Sequence, residues 1–135
     1  MAVAKRRAAR RIALETLYEH DLSGKPLAEI LDRHAGEPSF RFAERLVQGV
    51  AEHGAEIDDL ISRYAEDWTL ARMPPIDRSL LRLGVLELLH LDTPPAVTIN
   101  EAVDLAKQYS TADSGRFVNG ILGRIAREVP APHTV

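Results

Sequence analysis

The stretch from Asp77 to His90 constrains the fold most. Its Leu80, Leu81, Leu83, Val85, Leu86, Leu88 and Leu89 leave almost no polar face. A helix wetted on one side carries an apolar stripe, whereas one apolar nearly all round must be enclosed by neighbours. The sequence therefore predicts a central buried helix inside a shell of others. Arg82, Glu87 and His90 interrupt the run, so it does not read as a membrane span.

The remaining segments supply the shell, almost all with helical period, while strand signals are weak. A first helix is expected from about Ala4 to His20, ended by Ser23-Gly24. Pro26 suits the first turn of a short second helix bearing Leu27, Ile30 and Leu31. Gly36, Pro38 and Ser39 form a break with Ser39 as N-cap. A long helix is then predicted to about Ala65, striped by Ala43, Leu46, Val50, Ile57, Leu60, Ile61 and Tyr64. Gly49 and Gly54 inside it cost about 1 kcal/mol each relative to Ala; they either admit a close crossing or mark a bend.

Met73-Pro74-Pro75 stops and restarts the chain, and Asp92 to Pro95 ends the central helix. Thr98-Ile99-Asn100-Glu101 has the form of a capping box, followed by Ala102, Leu105, Ala106 and Tyr109. Ser110 or Thr111 is expected to cap a last helix striped by Phe117, Ile121, Leu122 and Ile125, whose period overrides the hairpin signal of Asn119-Gly120. At 135 residues and 15.0 kDa the chain reads as one all-α domain over residues 1–135, with a basic arm at 1–11 and a loose tail at 130–135.

The overall charge of −3 hides an asymmetry. Residues 1–11 hold Lys5, Arg6, Arg7, Arg10 and Arg11 with no acid, and the remainder carries 12 cations against 20 acids. Such an end commonly meets a polyanion. Wound at about 100° per residue from Arg6, Arg10 lies at about 40°, Arg7 at about 100° and Arg11 at about 140°, with Tyr18 in line at about 120°. Arginines that hold phosphates beside a ring that stacks an unpaired base suit single-stranded nucleic acid. The opposite face holds mainly alanines until Ile12, too little apolar bulk for a membrane-surface helix. Tyr18 alternatively packs in the core with its hydroxyl at the surface.

Signals for catalysis and cofactors are thin. The absence of cysteine excludes disulfides, thiolate metal sites and thiol chemistry. Gly115, Gly120 and Gly123 lack the spacing of a phosphate loop, and no nucleophile elbow surrounds Ser79, Ser110 or Ser114. The five histidines are scattered; His53 and Glu56 share a helix face, a spacing that reads as a surface contact rather than half a metal site. No cofactor and no metal are expected. Without an apolar signal core behind the basic end, the expected location is the cytoplasm.

Several local sequences resemble one family, the transcription antitermination factor NusB. They are Arg6-Arg7-Ala8-Ala9-Arg10 with Ala13-Leu14-Glu15-Thr16-Leu17-Tyr18, Leu46-Val47-Gln48-Gly49-Val50, Ile57-Asp58, Ile76 to Leu83, Pro95 to Lys107 and Phe117-Val118-Asn119-Gly120-Ile121-Leu122. The most specific are Ile99-Asn100-Glu101-Ala102-Val103 and Phe117-Val118-Asn119-Gly120. Leu86 departs from the pattern, since many members carry an aromatic residue there.

The resemblance implies six or seven helices in two small, roughly perpendicular subdomains. It also implies binding of boxA-type single-stranded RNA of ribosomal RNA transcripts with ribosomal protein S10, in an RNA polymerase antitermination complex. By the same resemblance Arg6, Arg7 and Arg10, extended by Arg11, would contact phosphates, and Tyr18 would lie near the RNA. Asp113, Ser114, Arg116 and Phe117 would lie beside its path, where helix-start N–H groups can receive a phosphate. Phe117 alternatively packs in the core, and Asp113 is alternatively a dipole-favoured acid. Asp77 matches an S10-facing acid, or is simply a first-turn acid. If all five N-terminal cations meet phosphates, the salt slope approaches about −3.5, at roughly 0.7 per contact. The competing readings are an accessory module of an RNA cytosine methyltransferase and a storage homodimer.

Overall fold

A computed structural model describes the backbone of residues 3–130 and the side chains of residues 6–130. The Lys5 side chain and the tail expected to be loose, residues 131–135, lie outside the described residues. The elements are α1 (Val3–Ser23), α2 (Leu27–Leu31), α3 (Phe40–Glu52), α4 (Gly54–Tyr64), α5 (Pro75–His90), α6 (Pro95–Tyr109) and α7 (Ser114–Glu128). Among the described residues there is no strand, and no helix is long and apolar enough to cross a membrane.

The central helix is where the apolar run placed it: α1, α3, α4, α6 and α7 all pack on α5. Eleven of its sixteen residues are buried, among them Leu80, Leu81, Leu83, Val85, Leu86, Leu88 and Leu89. Two glycines let neighbours approach closely. A Cβ at Gly49 of α3 would lie 2.7 Å from a methyl of Leu86, and one at Gly84 of α5 would lie 2.6 Å from a methyl of Leu122 on α7. Both separations are shorter than side-chain carbons tolerate, so glycine is what brings these helix axes together.

The wetter edge of α5 is held by arginines. Arg82 donates to both oxygens of Asp58 on α4, at 2.9 and 3.2 Å, and to Asp21 on α1 at 3.3 Å. Arg78 donates to the same Asp21 at 3.1 Å and to the Leu70 carbonyl at 3.0 Å. Burial pushes the Arg82 guanidinium down, but its hydrogen bond to Asp58 and the charges of Asp58 and Asp21 outweigh burial and raise it.

Four local expectations are corrected. The long helix is two: the chain breaks at His53 (φ −104°, ψ 18°), so the glycines divide the alternatives, Gly49 serving a crossing and Gly54 opening α4 at the bend. Pro26 is the residue before α2 rather than in its first turn, whereas Ser39 does stand at the N-cap position of α3, without a side-chain capping bond. There is no capping box at Thr98, because α6 already starts at Pro95, one full turn earlier. Its proline at the first position needs no donor, and Thr98 and Glu101 are thereby left facing inward. The last helix starts at Ser114 after Asp113, not behind Ser110 or Thr111.

Candidate nucleic-acid interface

The arginines of α1 do not act as one stripe. Arg10 is 4% exposed. Its Nε and Nη2 donate to the two carboxylate oxygens of Glu87 at 2.9 and 2.8 Å, and its Nη1 donates to Glu101 at 3.3 Å. Thr93 completes the shell of Glu87 with a 3.0 Å hydroxyl bond. Burial pushes Arg10 down, yet the hydrogen bond to Glu87 and the charges of Glu87 and Glu101 more than compensate and raise it, so it stays a cation. Of the residues expected at phosphates, Arg10 is thus placed inside the fold, its donors tying α1 to α5 and α6.

Arg7 and Arg11 remain outward. Arg7 lies over the rim of the same network, its Nε donating to Glu101 at 3.0 and 3.1 Å, while its side chain keeps 61% exposure. Asp104 stands 3.8 Å from Arg7 Nη2. With Arg11, Leu105 and Gln108 these groups line an open cleft of about 200 Å³ between α1 and α6. Arg6 turns the other way, its guanidinium 4.4 Å from the Phe42 ring centroid on α3. That is cation–π distance. Tyr18 is half-buried, between its two expected placements.

A second cleft, of about 400 Å³, opens at the start of α7 and is lined by Trp68, Pro74, Asp77, Thr111, Asp113, Ser114 and Phe117. Asp113 and Arg116 are exposed and Phe117 is half-buried, its ring meeting Trp68 edge-on at 5.8 Å. Phe117 thus packs against the core and also lines the cleft. Ser114 is buried and donates to Asp77 at 2.9 Å. Asp77 is 2% exposed and also accepts from Ser110. Asp77, expected to face a protein partner, is thus placed with two serine hydroxyls on its carboxylate, which pin the α6–α7 corner to α5.

Trp68 was missed by reading the sequence. It lies in the irregular link between α4 and α5 and is 46% exposed. Its signal was its rarity, the one tryptophan in a chain with 5% aromatic residues. Gln108 lines the first cleft and Thr111, three residues on, lines the second.

Comparison with known proteins bears on what this surface serves. The NusB family model matches residues 7–127. The chain is 50% identical over 127 residues to the transcription antitermination protein NusB of Saccharopolyspora erythraea, covering 90% of this chain and 86% of that protein. It is 49% identical over 128 residues to the NusB of Salinispora tropica, covering 90% and 94%. The solved structure of T. maritima NusB matches with a TM-score of 0.87 at 42% identity, over 96% of this chain and 94% of that one. A complex of antitermination factors NusB and NusE with double-stranded RNA contains a chain matching with a TM-score of 0.82 at 31% identity, over 93% and 98%. With the fold, the helix order and the matched residues in agreement, the chain belongs to the NusB family of non-catalytic transcription antitermination factors.

Proposed function

We propose that the chain is an RNA-binding adaptor that holds boxA-type single-stranded RNA of ribosomal RNA transcripts together with ribosomal protein S10, within an RNA polymerase antitermination complex. One observation carries this reading: the exposed cations Arg7 and Arg11 line one cleft, and the aromatic pair Trp68 and Phe117 lines a second that starts three residues further along the chain, at Thr111 after Gln108. Phosphates bind Arg7 and Arg11 with Arg6 at the margin. Bases stack on the exposed Trp68 and the open edge of Phe117, with Tyr18 at the end of the cationic side. Asp113 and Arg116 contribute polar contacts on the rim. The Ser114 hydroxyl is spent on Asp77 and its N–H on the Thr111 carbonyl, so Ser114 contributes by holding the start of α7, whose following N–H groups can receive a phosphate. The neighbouring complex of NusB and NusE with double-stranded RNA supports the coarser reading, an RNA partner together with a protein partner.

The test is fluorescence anisotropy with labelled boxA-type RNA, a scrambled strand and a duplex, with and without S10. Preference for the boxA-type strand, strengthened by S10 and lost in Arg7→Ala/Arg11→Ala, is the expected result. Equal binding to all three RNAs, indifferent to S10 and to the substitutions, overturns the reading.

A further inference from the structure

Away from both clefts, the fold assembles a group that the linear sequence keeps apart. His53, in the break between α3 and α4, and His90, the last residue of α5, stack with ring centroids 3.8 Å apart and planes 14° from parallel. Glu56, in the first turn of α4, brings its Oε1 to 2.7 Å from His90 Nε2 and 3.9 Å from His53 Nδ1. One ligating atom from each of the three lies within 4.8 Å of the others. The spacing of His53 and Glu56 suggested a surface contact only; the bend at His53 and the end of α5 supply a second imidazole.

We propose that His53, Glu56 and His90 form a binding site for a divalent transition-metal ion of the zinc class. Two imidazole nitrogens and one carboxylate oxygen are a donor set that borderline divalent ions favour over magnesium or calcium, which prefer oxygen. Metal–ligand bonds of about 2.0–2.2 Å in a tetrahedral site place ligand atoms roughly 3.3 Å apart, so closing the group requires shifts of about an ångström and a rotation of the imidazoles out of their parallel stack. The side chains have that freedom, being 32%, 52% and 23% exposed in chain order. Each ring turns its in-plane nitrogen lone pair toward the ion, and water completes the coordination. A cation here also meets the carbonyl end of α5, where the helix dipole is negative. The bound ion would staple the bend that opens α4 to the end of the central helix. This inference stands apart from the RNA reading, since none of the three residues lines either cleft.

The experiment is calorimetric titration of the full chain with Zn2+, paired with thermal unfolding and imidazole-selective NMR. The expected result is one equivalent bound, a raised Tm, and shifts confined to His53 and His90. His53→Ala, His90→Ala and Glu56→Ala should each weaken binding at least ~10-fold, with Glu56→Gln as a milder version that preserves the hydrogen bond to the ring. His34→Ala and His133→Ala should leave binding unchanged. No saturable binding, retention of affinity in His53→Ala/His90→Ala, or loss of it in either control overturns the proposal.

Discussion

The Arg10 guanidinium of α1 and the Glu87 carboxylate of α5 form a two-point ion pair, at 2.9 and 2.8 Å, with side chains only 5% and 3% exposed. A pair this enclosed binds the first helix to the central one, and its cost in desolvation is offset only while both partners and their hydrogen bonds remain. It is also the reason that one cation of an arginine-rich segment turns inward.

Removing one partner is therefore costly. Arg10→Ala should destabilise the fold by about 3–5 kcal/mol, because Glu87 would stay buried without a counter-charge. Arg10→Leu/Glu87→Leu should recover most of that loss. Denaturant unfolding of the single and double variants checks both outcomes.

Arg7 and Arg11 should behave in the opposite way. Arg7 is well exposed and Arg11 is exposed, and surface ion pairs contribute only about 0–1 kcal/mol. Arg7→Ala and Arg11→Ala should leave stability nearly intact and weaken RNA binding. With Arg10 engaged internally, four N-terminal cations remain, so the salt slope should be about −2.8, and each substitution should make it shallower by roughly 0.7. Anisotropy titrations across a salt series measure this.

Trp68→Ala should weaken binding of a boxA-type strand by about 1–3 kcal/mol, the usual loss for one base-stacking aromatic. Because Trp68 is 46% exposed, unfolding should remain cooperative. Unchanged RNA affinity would remove Trp68 from the RNA path.

The close crossing of α5 and α7 gives a packing test. Gly84→Ala places a Cβ 2.6 Å from Leu122, and overpacking of this kind costs about 1–3 kcal/mol. Leu122→Val in the same chain should relieve part of it, read as a coupling in a double-mutant cycle.

Thr98 separates the structure from the capping-box reading. As a cap, its loss would cost about 1 kcal/mol. In the structure its hydroxyl is buried with no hydrogen-bond partner among the described residues. Thr98→Val should thus be neutral or slightly stabilising, measured by thermal unfolding.

Helical period, proline pairs and the apolar run of α5 made the all-α class, most element positions and the central helix legible in the sequence, because these depend on residues close together in the chain. Even the inward turn of Arg10 left a trace. Wound from Arg6 at about 100° per residue, its direction of about 40° falls between Leu17 at about 20° and Leu14 at about 80°, both core residues. What the winding could not show was the counter-charge, since Glu87 and Glu101 lie 77 and 91 residues away. The same holds for Asp77, whose serine partners are 33 and 37 residues on, and for the stacking of His53 on His90. Local spacing determined which residues could share a helix face. Only the packing of α1, α6 and α7 around α5 decided which of those faces meet water and which charges are spent holding the helices together.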